Sequence, residues 1–144
     1  MTIIAEEFKK LILDKAEENE SESIVKWRNI ILLNKKFECI ICFRTTILSE
    51  GFWGIQSSLI STLKRIQQDN KCPYVFVFLL TSDTGYLLKD SITDNFLKQC
   101  SQGKNGDNKI HEKELRGNND IFKFRTIDEL MDCLGPYKKG DIGD

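Results

Sequence analysis

The sequence predicts an α/β fold, a mixed β-sheet flanked by helices in a two- or three-layer sandwich. Two observations carry that expectation. The stretch Tyr74 to Leu80, YVFVFLL, is continuously apolar, as a strand covered on both faces is. The stretch FWGIQ, 52 to 56, runs directly into a segment with Leu59, Ile60, Leu63 and Ile66 at helical spacing. That helix leads from one strand to the next as a β-α-β crossover, which favours parallel pairing of FWGIQ with YVFVFLL.

The elements follow in order. Ile4, Phe8, Leu11 and Ile12 lie on one face of a helix over Ile3 to Glu18. Ile24, Trp27, Ile30 and Ile31 are spaced for a second helix, with Ser21 or Ser23 at its start and Asn34 at its end. Phe37 to Leu48, rich in β-branched and aromatic residues, predicts a buried strand. Glu50 and Gly51 then turn the chain into FWGIQ, so these two strands are expected to pair as a hairpin. Ser57 or Ser58 is placed to cap the next helix, which runs through Gln68 until DNKCP breaks it. After YVFVFLL, a turn at TSDTG leads to the short strand YLLK and a helix over Ser91 to Gln99. The polar, glycine-punctuated run from Ser101 to Asp120 predicts an exposed excursion or hairpin with KIHEKEL as its only plausible strand. IFKF then leads to a helix capped by Thr126, with Asp128 and Glu129 in its first turn and Gly135 as its stop. Residues 1–136 therefore read as a single domain, with 137–144 as a flexible tail.

With 144 residues, 40% of them hydrophobic and 30% charged, the chain can bury one sizeable core. Its longest apolar run is far short of the roughly 20 residues a membrane helix needs, and MTIIAEEFKK lacks the order of a signal peptide. Five cysteines without regular spacing fit a reducing compartment, so the expected location is the cytoplasm with no membrane contact. A net charge of −1 provides no general field for a polyanion. Nucleic-acid binding would need a local patch, from Lys35, Lys36 and Arg44, from Lys64 and Arg65, or from Lys138 and Lys139.

Several chemistries are unsupported. There is no GxxxxGK[ST], and no GxGxxG follows a strand. Cys39 and Cys42 form a CxxC inside a strand, where residues three apart point to opposite faces and cannot share a metal, so no metal site is expected there. His111 is the only histidine and stands in a charged context without a nucleophile-bearing turn. Phe52, Trp53, Tyr74, Phe76 and Phe78 read as core packing ahead of a base-stacking platform. Trp27 and Trp53 are candidate interface anchors, since tryptophan is rarely wholly buried.

Glu38 in FECII, followed by Gln56-Ser57-Ser58 at the start of a helix, gives one constellation to weigh. With the helix, hairpin, helix, strand order of residues 3 to 80, it resembles the PD-(D/E)XK, or restriction-endonuclease-like, family. The resemblance implies Glu38 and Gln56 as oxygen ligands of Mg²⁺. The family's lysine position holds Ser58, so Lys64 would have to supply the cation and Glu50 a further carboxylate.

Two functions follow. The first is a small non-catalytic protein that binds a macromolecular partner, expected to be a protein, in a regulatory, immunity or anti-defence role, with no cofactor. Its candidate binding residues are Trp27, Trp53, Lys64 and Arg65. The alternative is a Mg²⁺-dependent nuclease, or a nucleic-acid-binding relic of one, using Glu38, Gln56 and Lys64. A homodimer is compatible with either.

Overall fold

The computed structural model describes residues 2–46, 52–102 and 107–137. Ile47 and Leu48 of the expected first strand, the turn residues Glu50 and Gly51, Lys138 and Lys139 lie outside the described residues, and of the expected tail 137–144 only Tyr137, in a short 3-10 turn, is described.

Helix α1 (Ile3–Glu18) starts at Thr2, whose Oγ1 accepts from the Ala5 N–H at 3.2 Å. Strands β1 (Ser21–Trp27) and β2 (Ile30–Lys35) come next, where the sequence suggested a helix. They pair antiparallel around the two-residue turn Arg28–Asn29. Ile24, Trp27, Ile30 and Ile31 imitate a helical period because the tight turn shifts the phase of two alternating strands. Their β-branched content was the true signal. Ser21 fixes the base of the hairpin: its hydroxyl donates to the Asn34 carbonyl at 2.7 Å and accepts from the Phe37 N–H at 3.1 Å.

The remaining elements are β3 (Cys39–Thr45), β4 (Phe52–Ile55), α2 (Ser57–Asn70), β5 (Tyr74–Leu79), β6 (Gly85–Lys89), α3 (Asp90–Gln99), β7 (Ser101–Gln102), β8 (Asn108–His111), α4 (Glu112–Arg116), β9 (Phe122–Phe124) and α5 (Ile127–Cys133). Six strands form a mixed sheet in the order β1-β2-β3-β5-β6-β9, in which only β3 and β5 run parallel. The α/β class is thus the one the sequence predicted, with a different pairing. The crossover through α2 joins β4 to β5, yet the strand that lies beside β5 is β3. β4 makes no hairpin with β3 and pairs with β8 in a separate three-stranded sheet, β4-β8-β7.

Alternation along the strands sorts the core into two halves. Ile31, Leu33, Ile41, Phe43, Val75 and Val77 face α1 and α5. Ile40, Cys42, Phe76 and Phe78 face the other way, toward α2, α3 and the small sheet. β5 is buried along its whole length between the two, as its composition demanded. Residues 107–120 are less exposed than their polarity suggests, because Ile110, Leu115 and, just beyond, Ile121 anchor them to this second layer; β7 and β8 pair antiparallel, as the hairpin alternative expects. Within KIHEKEL the strand stops at His111, and residues 112–116 turn helical. α5 is capped by Thr126 Oγ1, which accepts from the Glu129 N–H at 3.1 Å. Among the described residues, no helix is long and apolar enough to cross a membrane.

Candidate functional site

A cavity of about 510 Å³ opens where β3 ends. It is walled by Trp27 and Arg28 from the β1–β2 hairpin, Arg44 and Thr45 from β3, Thr2 at the start of α1 and Gln56 at the start of α2. This is the carboxyl end of a parallel strand pair, the place where open α/β sheets leave a crevice. α2 begins here with Gln56 as its N-cap. Neither Ser57 nor Ser58 caps the helix, and the Gln56 side chain makes no capping bond. Its backbone carbonyl accepts from the N–H groups of Leu59 and Ile60 at 3.1 and 3.3 Å, which secures the first turn.

The basic residues are held in position. Asn29 Nδ2 donates to the Phe43 carbonyl at 3.1 Å, and the Phe43 N–H donates to the Asn29 carbonyl at 3.0 Å, so the turn carrying Arg28 is pinned to β3. Arg44 Nε–H donates to the Gly54 carbonyl at 3.2 Å, tying its guanidinium to β4. Among the described residues no Asp or Glu lines the cavity, while Arg28 and Arg44 both do.

The residues named from sequence are scattered. Gln56 and Trp27 reach this cavity. Glu38 precedes β3 at its opposite end, where its N–H donates to the Tyr137 carbonyl at 2.9 Å. The Cys72 thiol there is raised by burial first and by the Glu38 charge second. Ile40, two residues on, donates its N–H to the Pro73 carbonyl at 2.9 Å, so Glu38 lies toward the C-terminal end of α2, while Gln56 opens its N-terminal end. A 14-residue helix spans about 21 Å. Lys64 lies midway along α2 and is paired with Asp94 of α3, its Nζ at 2.9 and 3.1 Å from the two carboxylate oxygens; that hydrogen bond raises its pKa. Arg65 is exposed on the same helix. Trp53 is 1% exposed and belongs to the core. The residues at hand do not fit the Mg²⁺ that the family resemblance implies: Glu38 and Gln56 cannot share an ion at that separation. Among the described residues no other cluster of three or more His, Cys, Asp or Glu is arranged to hold one.

Arg28 is the contributor that the sequence reading missed. The signal for it was Arg-Asn set between two β-branched runs, the pattern of a two-residue hairpin turn.

The single histidine has its own small cluster. His111 Nδ1 is 3.2 Å from Glu114 Oε1, and the His111 N–H donates to the same oxygen at 2.9 Å. Burial alone would raise the Glu114 carboxyl, but the hydrogen bonds from His111 and Cys100 outweigh it and hold the pKa below its usual value. Burial and this neighbouring carboxylate push the Cys100 thiol up to about 12. The thiol itself donates to the Phe96 carbonyl at 3.2 Å, so Cys100 stays protonated and gives no activated nucleophile. Cys39 and Cys42, buried on opposite faces of β3, are also raised by desolvation.

Compared with protein-family models and with curated proteins, the chain matches none.

Proposed function

We propose that this protein binds, without cleaving, the phosphate backbone of a nucleic acid at the cavity between the β1–β2 hairpin and the start of α2. The observation that carries this reading is the placement of Arg28 and Arg44 around one cavity with no carboxylate among its described lining residues. Guanidinium groups match phosphate oxygens in a planar fork. The start of α2 adds backbone N–H groups and a partial positive charge. The net charge of −1 is no obstacle, since the field is local. Binding is favoured over cleavage because Glu38, Gln56 and Lys64 do not meet.

Titration of labelled oligonucleotides at several salt concentrations tests it. Arg28→Ala combined with Arg44→Lys is expected to weaken binding roughly tenfold, and each lost phosphate contact lowers the log–log salt slope by about 0.7 to 0.9. The lysine retains the charge at 44 while removing the fork and the Nε–H bond to the Gly54 carbonyl. Unchanged affinity in a double variant with native circular dichroism would overturn the proposal.

A protein partner is the second reading, favoured by the outer edge of β1, which pairs with no further strand among the described residues, and by Ile24 and Val25 on that strand, 36% and 44% exposed. A bulge at Lys26 interrupts the ladder there, which disfavours edge-to-edge pairing and places this reading second. If it holds, Val25→Lys abolishes the complex seen by light scattering and leaves oligonucleotide affinity intact; an unaffected complex would count against it.

A further inference from the structure

We infer that the cavity selects single-stranded over duplex nucleic acid, by stacking one unpaired base on Trp27; this rests on the nucleic-acid reading above. Trp27 is the only tryptophan at the surface, 48% exposed and lining the cavity beside Arg28, while Trp53 is in the core. Indole is among the side chains that gain most from leaving water. A half-exposed one at the rim of a basic cavity offers a flat apolar face next to cationic groups. That is the pairing of stacking surface and phosphate contact by which single strands are held.

The platform is built in advance. Trp27 closes β1 opposite Ile30, and the next two residues form the turn that Asn29 ties to Phe43 through bonds in both directions. Little backbone freedom remains to be lost when a ligand settles on the ring. The other aromatic residues considered for stacking offer no competing surface: Phe52, Trp53, Tyr74, Phe76 and Phe78 are all buried.

Size and stacking geometry set the strand preference. A cavity of about 510 Å³ admits a small-molecule-sized group such as one nucleotide, and a duplex would have to stay outside it. Within a duplex both faces of every base are covered by neighbouring pairs. An indole reaches a base face only where the base is unpaired.

Fluorescence anisotropy with labelled 12-mers of single-stranded DNA and RNA, the matching duplexes and unlabelled mononucleotides as competitors tests the inference on the whole protein. Single strands are expected to bind at least tenfold tighter than duplex and to quench Trp27 emission. Trp27→Ala is expected to weaken single-strand binding roughly tenfold or more while duplex binding stays the same, and Trp27→Phe to restore most of it. Equal affinity for duplex and single strand, still sensitive to Arg28 and Arg44, overturns the strand preference and leaves the phosphate reading standing. Mononucleotides competing as tightly as oligomers overturn it in favour of a nucleotide site. No binding of any of these ligands overturns both readings.

Discussion

Gly85→Ala is expected to destabilise the protein by at least about 3 kcal/mol, a large effect for the addition of one methyl group. Gly85 opens β6 and is paired with Leu79 of β5 on one side and Phe124 of β9 on the other. A Cβ placed there would overlap the Phe78 carbonyl oxygen and lie 3.0 Å from the Phe78 carbonyl carbon and 3.1 Å from the Leu79 Cα. These are backbone atoms of β5, a strand buried along its whole length and held on its other edge by β3. No rotamer change relieves the overlap, so the start of β6 must move away from β5. That movement pulls on Tyr86, Leu87 and Leu88, which are all core residues. Urea denaturation followed by circular dichroism measures the loss, and a drop in Tm on the order of 10 °C should accompany it. A variant within about 1 kcal/mol of the parent would mean that this approach of two strands is looser than the geometry states.

The parts of the fold legible in the sequence are those where one local signal determines the outcome. Continuous apolarity identified β5, helical spacing identified α1 and α2, and Thr126 marked the start of α5 with a cap that the structure contains. The hairpin over 24–33 carries the spacing of a helix because a turn of two residues lets two strands mimic a period near 3.6. The pairing of β3 with β5, in place of β4, is a choice between strands of similar composition. Single-strand patterns do not encode that choice. The site divides in the same way. Gln56 and Trp27 stand out from local context and line the cavity, whereas their meeting with Arg28 and Arg44 depends on sheet order. Glu38 looked adjacent to Gln56 only on the assumption that their strands pair as a hairpin.

Trp53→Ala is expected to cost about 3 to 5 kcal/mol, the range for truncating a large aromatic residue in a packed core. The indole is 1% exposed. Its Nε1–H donates to the Leu79 carbonyl at 3.1 Å, and its ring meets Phe78 and Tyr86 edge-on, with centroids 5.7 and 6.5 Å apart. Trp53 belongs to β4 of the small sheet, and all three partners belong to the large one, so this side chain joins the two sheets. Truncation removes the hydrogen bond, the ring contacts and the volume together, and the surrounding strands cannot close the void without shifting register. Trp53→Phe should recover more than half of the loss, since it keeps an apolar ring and gives up the hydrogen bond, worth about 1 kcal/mol. Because β4 leads directly into Gln56, hydrogen exchange at β4, β8 and the first turn of α2 should accelerate in Trp53→Ala while β1 and β2 remain protected. An interface anchor would behave differently: stability would be unchanged and only complex formation would fall. Paired denaturation and binding measurements on Trp27→Ala and Trp53→Ala therefore separate the two tryptophans, with the first losing ligand and the second losing fold.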